Sequence, residues 1–254
     1  MILESSKVTA NSEPMTGARL LWLEATQIAH QAQPGQFVMV RCGEKGEYQL
    51  RRPLSIHQWE DDKIALLFQV VGGGTLWLSQ RTTGDEIDLL GPLGNGFSIH
   101  PESKNLLMIA GGIGIAPLRF LADEAVKKDL SVTLLYGTPT AAQLYPHLPK
   151  AELVTATEDG SAGKNGMITD LLPDFTKEAD QICACGPLAM YKTMARMTEL
   201  KNVQISLEVR MGCGLGVCYG CTVKTRKGLR QVCKDGPIFE LNDILWEELA
   251  EGGV

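Results

Sequence analysis

Leu106-Leu107-Met108-Ile109-Ala110-Gly111-Gly112-Ile113-Gly114-Ile115-Ala116-Pro117-Leu118 is the stretch that decides the architecture of this chain. Five apolar residues without alternation read as a strand buried on both faces. Gly111, Gly112 and Gly114 form a turn, and residues 116–128 carry apolar side chains at Leu118, Leu121, Ala122 and Ala125, the spacing of one helix face. A strand that passes through a glycine turn into a helix opens a strand–helix–strand unit. At such a turn the helix N-terminus and the missing side chains favour a pyrophosphate. The G-x-G-x-x-G spacing is absent, so this is not the strict dinucleotide fingerprint. The stretch is also the longest weakly polar run, and it falls well short of the roughly 20 apolar residues a membrane span needs.

Downstream, strands are expected at 132–136, 153–155, 181–185 and 203–209, with helices near 167–172 and at 188–200. Strands alternating with helices imply a doubly wound parallel sheet, placed at residues 101–207. Upstream, β-rich runs at 20–23, 36–40, 54–56 and 64–71 are separated by turn signals such as Pro34-Gly35 and Asp61-Asp62. They read as a small β-barrel over residues 1–100, with one short helix at 75–81. Residues 208–254 hold four cysteines and little periodicity, and form a third, small module. The fold class is therefore multi-module β and α/β.

Composition narrows the function. Hydrophobic residues make up 44% of the 254 and charged residues 21%, values that exclude disorder, a fibrous repeat and a coiled coil. A formal charge of −6 without a Lys/Arg-rich run argues against a nucleic-acid partner. No signal peptide is readable at the N-terminus. A cytoplasmic protein is expected, one with no membrane partner and with reduced cysteines that serve as ligands rather than crosslinks.

Four of the seven cysteines, Cys213, Cys218, Cys221 and Cys233, have the spacing C-x4-C-x2-C-x11-C. Its opening intervals are those of plant-type [2Fe–2S] ligation. Three thiolates arriving from one loop require the backbone to curl around the cluster. Gly212, Gly214, Gly216 and Gly220 permit that curl and leave N–H groups free to donate to sulfur. Structural zinc is the main rival, although zinc ribbons bring two C-x2-C pairs together and only one is present; a disulfide is a third reading. Cys42 and Cys183 read as buried small apolar residues.

Within the barrel, Arg52-Pro53-Leu54-Ser55 offers an arginine for a pyrophosphate and a hydroxyl or N–H for a flavin ring edge. A solvent-exposed arginine beside a turn would look the same. Gln69-Val70-Val71-Gly72-Gly73-Gly74-Thr75 runs from a strand into a glycine turn and a helix start, a nest of N–H groups for phosphate or simply a flexible hairpin. Cys185-Gly186-Pro187 follows a later strand, at the carboxyl edge where such sheets bind ligands.

In this order the motifs resemble the ferredoxin–NADP reductase superfamily. Gly91-Pro92-Leu93-Gly94-Asn95-Gly96-Phe97, the Glu208-Val209-Arg210-Met211-Gly212 lead-in and the residues from Val232 to Phe239 narrow the resemblance. They look like those of the electron transfer subunits of class 1B dihydroorotate dehydrogenases. The resemblance spans nearly the whole chain. It implies FAD and a [2Fe–2S] cluster, NAD as substrate, and an FMN-containing catalytic subunit that oxidises dihydroorotate in pyrimidine biosynthesis. It further implies a heterotetramer of two catalytic and two electron transfer subunits. FAD would be held by Arg52, Pro53, Leu54, Ser55, Gln69, Val70, Val71, Gly74 and Thr75. The nucleotide would face Gly112, Gly114 and Cys185, the last near the nicotinamide, with no residue assigned a definite catalytic role. Gly73 departs from the pattern, standing where a larger and often charged residue is expected.

The residues support an electron conduit independently. There is no G-x-S-x-G elbow, no H-E-x-x-H, and no nucleophile–base set among the four scattered histidines. Alternatives are the small subunit of an NADPH:ferredoxin or sulfide-type oxidoreductase and, in another class, a redox-sensing iron–sulfur binding module.

Overall fold

The computed structural model describes residues 1–44, 47–147 and 150–249, so the end of the proposed third module, 250–254, lies outside the described residues. Strands β1 (Ile2–Met15), β2 (Ala18–Glu24), β3 (Phe37–Val40), β4 (Arg52–Glu60), β5 (Lys63–Gln69) and β6 (Glu86–Leu93) close into an antiparallel barrel in the order β1-β2-β5-β4-β3-β6. Its interior is packed by Leu21, Leu23, Val38, Val40, Ile56, Ile64, Leu66, Phe68, Ile87 and Leu89.

One local failure of pairing shapes the barrel's use. Strand β4 pairs with β3 from Arg52 onward, but with β5 only from Ile56, after which the register shifts. Arg52, Pro53, Leu54 and Ser55 therefore have no β5 partner. The proline, which has no N–H to donate, stands where a ladder bond is not required. The two strands splay here and a cleft opens between them.

The second unit is a sheet of β7 (Asn105–Gly111), β8 (Ser131–Thr138), β9 (Glu152–Thr157), β10 (Lys164–Asn165), β11 (Gln181–Cys185) and β12 (Val203–Ser206). All are parallel in the order β10-β9-β8-β7-β11-β12. Leu106 to Ala110 are buried on both faces, as their unbroken apolar run requires. The helix Ile115–Lys127 covers one face and presses Phe120 into the barrel core. At this seam His57, fully buried, sits 2.9 Å through Nδ1 from the Ala116 carbonyl, and burial depresses its pKa to about 3. The barrel strand is thus fastened to the first turn of the helix by a neutral imidazole.

The C-terminal segment contributes a hairpin, β13 (Thr222–Thr225) and β14 (Gly228–Gln231), and then β15 (Ile238–Glu240). Strand β15 pairs antiparallel with β12 and extends the nucleotide sheet to seven strands. The sequence reading did not foresee this strand. Cys221, Val223, Cys233, Ile244 and Trp246 share one core with Leu107, Ile109 and Tyr191 of the sheet unit and with Phe37, Met39 and Leu93 of the barrel. Asn95 braces the same junction: its N–H bonds Gly236 O at 2.6 Å and its amide bonds Asp235 O at 3.0 Å.

Several expected bounds shift. The helix expected at 75–81 runs Gly73–Ser79, because the Thr75 hydroxyl accepts the Val71 and Gly72 N–H groups and starts it early. The helix expected at 188–200 ends as Leu188–Ala195, and the chain beyond it continues through i to i+3 turns. The last parallel strand stops at Ser206 rather than 209: the Leu207 N–H bonds the Pro237 carbonyl in the register of the β12–β15 ladder, but Pro237 has no N–H to return and the ladder ends there. Among the described residues no helix is long and apolar enough to cross a membrane.

Candidate functional site

The cleft at the splayed end of β4 has a volume of about 670 Å³ and is lined by Arg52, Pro53, Leu54, Ser55, Gln69, Val71 and Thr75. Val70 and Gly74 were also expected here, and they do not line the cleft. Gly74 has its own use: a Cβ there would come within 2.9 Å of Arg52 Nε, so its bare backbone is what lets the arginine lie across the loop. The two adjacent arginines differ in commitment. Arg51 makes a bidentate pair with Asp88 at 2.9 and 3.0 Å. Arg52 donates to the Leu50 carbonyl at 2.6 Å, has no carboxylate partner among the described residues, and lines the cleft. Of the two, Arg52 is the one without a carboxylate, and Arg210 also lines the cleft. Gly73 lies against the Tyr48 ring tip, which a Cβ there would push aside.

A second cavity of about 540 Å³ opens at the carboxyl ends of the parallel strands and is lined by Gly111, Gly112, Ile113, Gly114, Gly186 and Pro187, among others. The two expected glycines serve different ends. Gly112 takes φ +54° with open space around its Cα, so it is required by conformation. Gly114 has a helical φ of −59°, but a Cβ there would overlap the Cys185 carbonyl and come within 2.8 Å of Gly186 N, so it is required by space. Close packing of this turn on the neighbouring strand end places the helix N-terminus at the cavity.

Cys185 corrects the sequence expectation. Its side chain is fully buried and does not line the cavity. The thiol contacts the Ser206 carbonyl at 3.8 Å, and burial pushes its pKa well up. Alternation along β11 turns it inward, leaving Gly186 and Pro187 to face the opening. Tyr191 holds the turn by donating to Ser206 O at 2.7 Å and accepting from Gly186 N at 2.9 Å.

Glu208, to which the sequence pattern assigns no site role, lines both cavities together with Gln69 and Ile113. Glu208 is exposed at the mouth of the two cavities, where the walls beside it push its carboxyl pKa upward by partial desolvation. Its position just after the last parallel strand, at the carboxyl edge of the sheet, was the available signal.

Val209, Arg210 and Met211 continue along the flavin-cleft wall and lead directly into Cys213. The four thiols form two neighbouring pairs, Cys213 with Cys218 and Cys221 with Cys233. Backbone donors point at three of them: Leu215 N to Cys213 Sγ at 3.3 Å, Gly216 N to Cys233 Sγ at 3.2 Å and Cys233 N to Cys221 Sγ at 3.5 Å. Gly216 takes φ +76° to aim its N–H inward. Burial raises the Cys213 thiol, but the N–H groups of Leu215, Val217 and Cys218 outweigh it and bring the pKa down to about 6. Burial and the adjacent Cys221 push Cys233 up to about 12. Among the described residues no set of three or more Cys, His, Asp or Glu side chains converges on a single-ion position. Two thiol pairs with inward N–H donors fit a two-iron cluster, which spreads its four ligands over two metals.

The barrel, the parallel nucleotide sheet and the cysteine module together define an oxidoreductase of the ferredoxin-reductase type. Residues 208–245 match the model of the iron–sulfur cluster binding domain of dihydroorotate dehydrogenase B, and residues 108–196 that of the oxidoreductase NAD-binding domain. The dihydroorotate dehydrogenase B (NAD(+)) electron transfer subunit of Caldanaerobacter subterraneus subsp. tengcongensis is 40% identical over 220 residues, 84% of this chain and 87% of that protein. That of Clostridium acetobutylicum is 41% identical over 219 residues, 85% of this chain and 87% of its own length. A solved NADH-dependent reduced ferredoxin-NADP oxidoreductase chain superposes with a TM-score of 0.86 at 30% identity, covering 97% of this chain and 91% of that one. This chain belongs to the family of dihydroorotate dehydrogenase B (NAD+) electron transfer subunits.

Proposed function

We propose that this chain carries electrons from the FMN of a dihydroorotate-oxidising catalytic subunit, by way of a [2Fe–2S] cluster and FAD, to NAD+ in pyrimidine biosynthesis. One observation carries the reading: the short segment from Ser206 to Cys213 borders all three sites. Ser206 and Glu208 line the flavin cleft, Glu208 also lines the nucleotide cavity, and the chain reaches the first cluster thiol five residues later. Nucleotide, flavin and cluster would then sit in series with no gap in the chain between them.

In this reading Arg52 neutralises the FAD pyrophosphate, while Pro53, Leu54, Ser55, Gln69, Val70, Val71, Gly74 and Thr75 shape and close the flavin site. Gly112 and Gly114 admit the NAD pyrophosphate to the helix N-terminus. Cys213, Cys218, Cys221 and Cys233 hold the iron. Bound flavin supplies the exchange between a two-electron hydride and single electrons. Glu208, at the junction, is placed to hold a proton beside that exchange. The three modules are taken as 1–100, 101–207 and 208–254, the last built into the cores of the other two. Leu215, Val217 and Tyr219 are exposed around the cluster loop and are proposed to meet the catalytic subunit in an assembly of two plus two subunits. Reduced thiols suit a cytoplasmic setting.

A second reading rests on the solved ferredoxin-NADP oxidoreductase, which shares the layout over nearly the whole chain. The partner separates the two. Anaerobic co-purification with the catalytic subunit should give NADH formation that depends on dihydroorotate. The chain alone should oxidise NADH with a dye acceptor and leave dihydroorotate untouched. Co-purification with a larger flavoprotein that carries its own clusters, and no response to dihydroorotate, would favour the second reading.

A further inference from the structure

The ladder between β11 and β12 carries an insertion at its carboxyl end. Its register runs Ile182↔Val203, Cys183↔Gln204 and Ala184↔Ile205, and the Ile182 N–H bonds Asn202 O at 3.1 Å. The rungs of a parallel ladder are evenly spaced and recur every two residues. The rung due beyond Ala184 would therefore join the Gly186 N–H to Ser206 O. The Tyr191 hydroxyl stands in that place, accepting from Gly186 N at 2.9 Å and donating to Ser206 O at 2.7 Å. Two bonds that meet at a tetrahedral oxygen span about 4–5 Å, against about 2.9 Å for a direct rung. The strand ends are thus held roughly 1.5 Å further apart than the ladder would hold them.

Both ends of this relay are anchored. A Cβ at Gly186 would come within 2.6 Å of the Met190 methyl and 3.1 Å of Gly111 Cα, so the turn has no room to retreat. Ser206 is paired on its far side with Ile238 of β15. Tyr191 is buried on the helix Leu188–Ala195, with its ring 5.6 Å from that of Trp246 and tilted 33° to it. Burial pushes its pKa well above the ordinary value, so the hydroxyl keeps the proton it donates. The two strand ends serve different cavities. Gly186 and Pro187 line the nucleotide cavity, Ser206 and Leu207 line the flavin cleft, and Tyr191 itself lines neither.

We propose that Tyr191 is a positioning residue whose hydroxyl, inserted as a spacer in the β11–β12 ladder, sets the separation between the nucleotide wall at Gly186–Pro187 and the flavin wall at Ser206–Leu207. It acts on electron transfer between the two sites through these backbones and touches neither bound group. This rests on the function proposed above.

Tyr191→Phe keeps the ring against Trp246 and removes the spacer. The Gly186 N–H and Ser206 O then close on each other, and a displacement near 1 Å in a positioning element lowers rate about 100-fold. In the holoprotein, with flavin and cluster absorption reporting the fold, flavin reduction at saturating NADH should slow at least about tenfold. Affinity for ADP-ribose, which lacks the nicotinamide, should stay within about twofold. Steady-state turnover with a dye acceptor should accordingly lose kcat with KM nearly unchanged. Crystal structures should show the two-bond relay in the parent and a shorter Gly186 N to Ser206 O distance in the variant. A variant that reduces its flavin at the parent's rate overturns the proposal even if its thermal midpoint falls, since the hydroxyl would then be a structural partner only. If Tyr191→Phe does not retain flavin, the parent crystal structure decides: the relay supports the spacer, and a direct Gly186–Ser206 bond overturns it. A parent holoprotein that neither binds ADP-ribose nor is reduced by NADH would instead sink the nucleotide-site reading, and the proposal with it.

Discussion

Cys218→Ser should abolish electron exchange with the catalytic subunit while leaving NADH oxidation by a dye acceptor within about twofold of the parent. The substitution removes one of four thiolates. Loss of an outer-shell partner alone weakens metal sites about 10–100-fold, so loss of a ligand should lower partner-linked turnover by at least about 100-fold. Cys218 is the position for this test because it is exposed and packs into no core. Cys221 and Cys233 are buried in the core shared by sheet and barrel. A hydroxyl there would add a cost of about 1–3 kcal/mol for a buried polar group and confuse loss of cluster with loss of fold. Visible absorption of the cluster and the two activities, measured on one preparation, settle the matter. Equal loss of both activities would mean that the cluster is structural or lies off the route.

Gly114→Ala should disable the nucleotide site more severely than Gly112→Ala, although Gly112 has the less common backbone conformation. At Gly112 the added methyl meets open space, and the cost is that of a left-handed backbone, about 1–2 kcal/mol. At Gly114 it overlaps the Cys185 carbonyl, which is main chain at the end of a central strand and cannot rotate away. The turn or the strand end must then move, and overpacking of this kind costs about 1–3 kcal/mol or more. A displacement near 1 Å in a positioning element lowers rate about 100-fold. NADH-to-dye turnover should therefore fall by about that factor in Gly114→Ala, with a lower thermal midpoint and flavin retained. A Gly114→Ala protein with normal turnover and stability would show that this packing does not fix the nucleotide loop.

The third module is less separate than its composition suggests. Met39, Leu93 and Phe37 of the barrel meet Cys221, Cys233 and Val223 in one core, and β15 completes the nucleotide sheet. The signature around Asn95, whose residues line neither the flavin cleft nor the nucleotide cavity, is explained by this junction: it clamps the Asp235–Gly236 backbone against the barrel. A cluster loop held from two sides leaves little freedom for the thiols to drift, and electron transfer benefits from that rigidity.

Whatever depends on neighbouring residues was legible in the sequence. The buried run into Gly111–Gly114 specified a parallel strand and helix, because apolar continuity and glycine turns act within a few residues. The C-x4-C-x2-C spacing specified the cluster chemistry, because three ligands came from one loop. Tertiary structure alone decided what depends on distant partners. It turned Cys185 inward against Ser206, and left Arg52 rather than Arg51 without a carboxylate by pairing Arg51 with Asp88. It also set Glu208 at the meeting of two cavities. A local pattern fixes which groups are offered. Which of them remain free to bind is settled by hydrogen-bond partners and packing that arrive from elsewhere in the chain, and the spacing of residues along the sequence carries no record of those contacts.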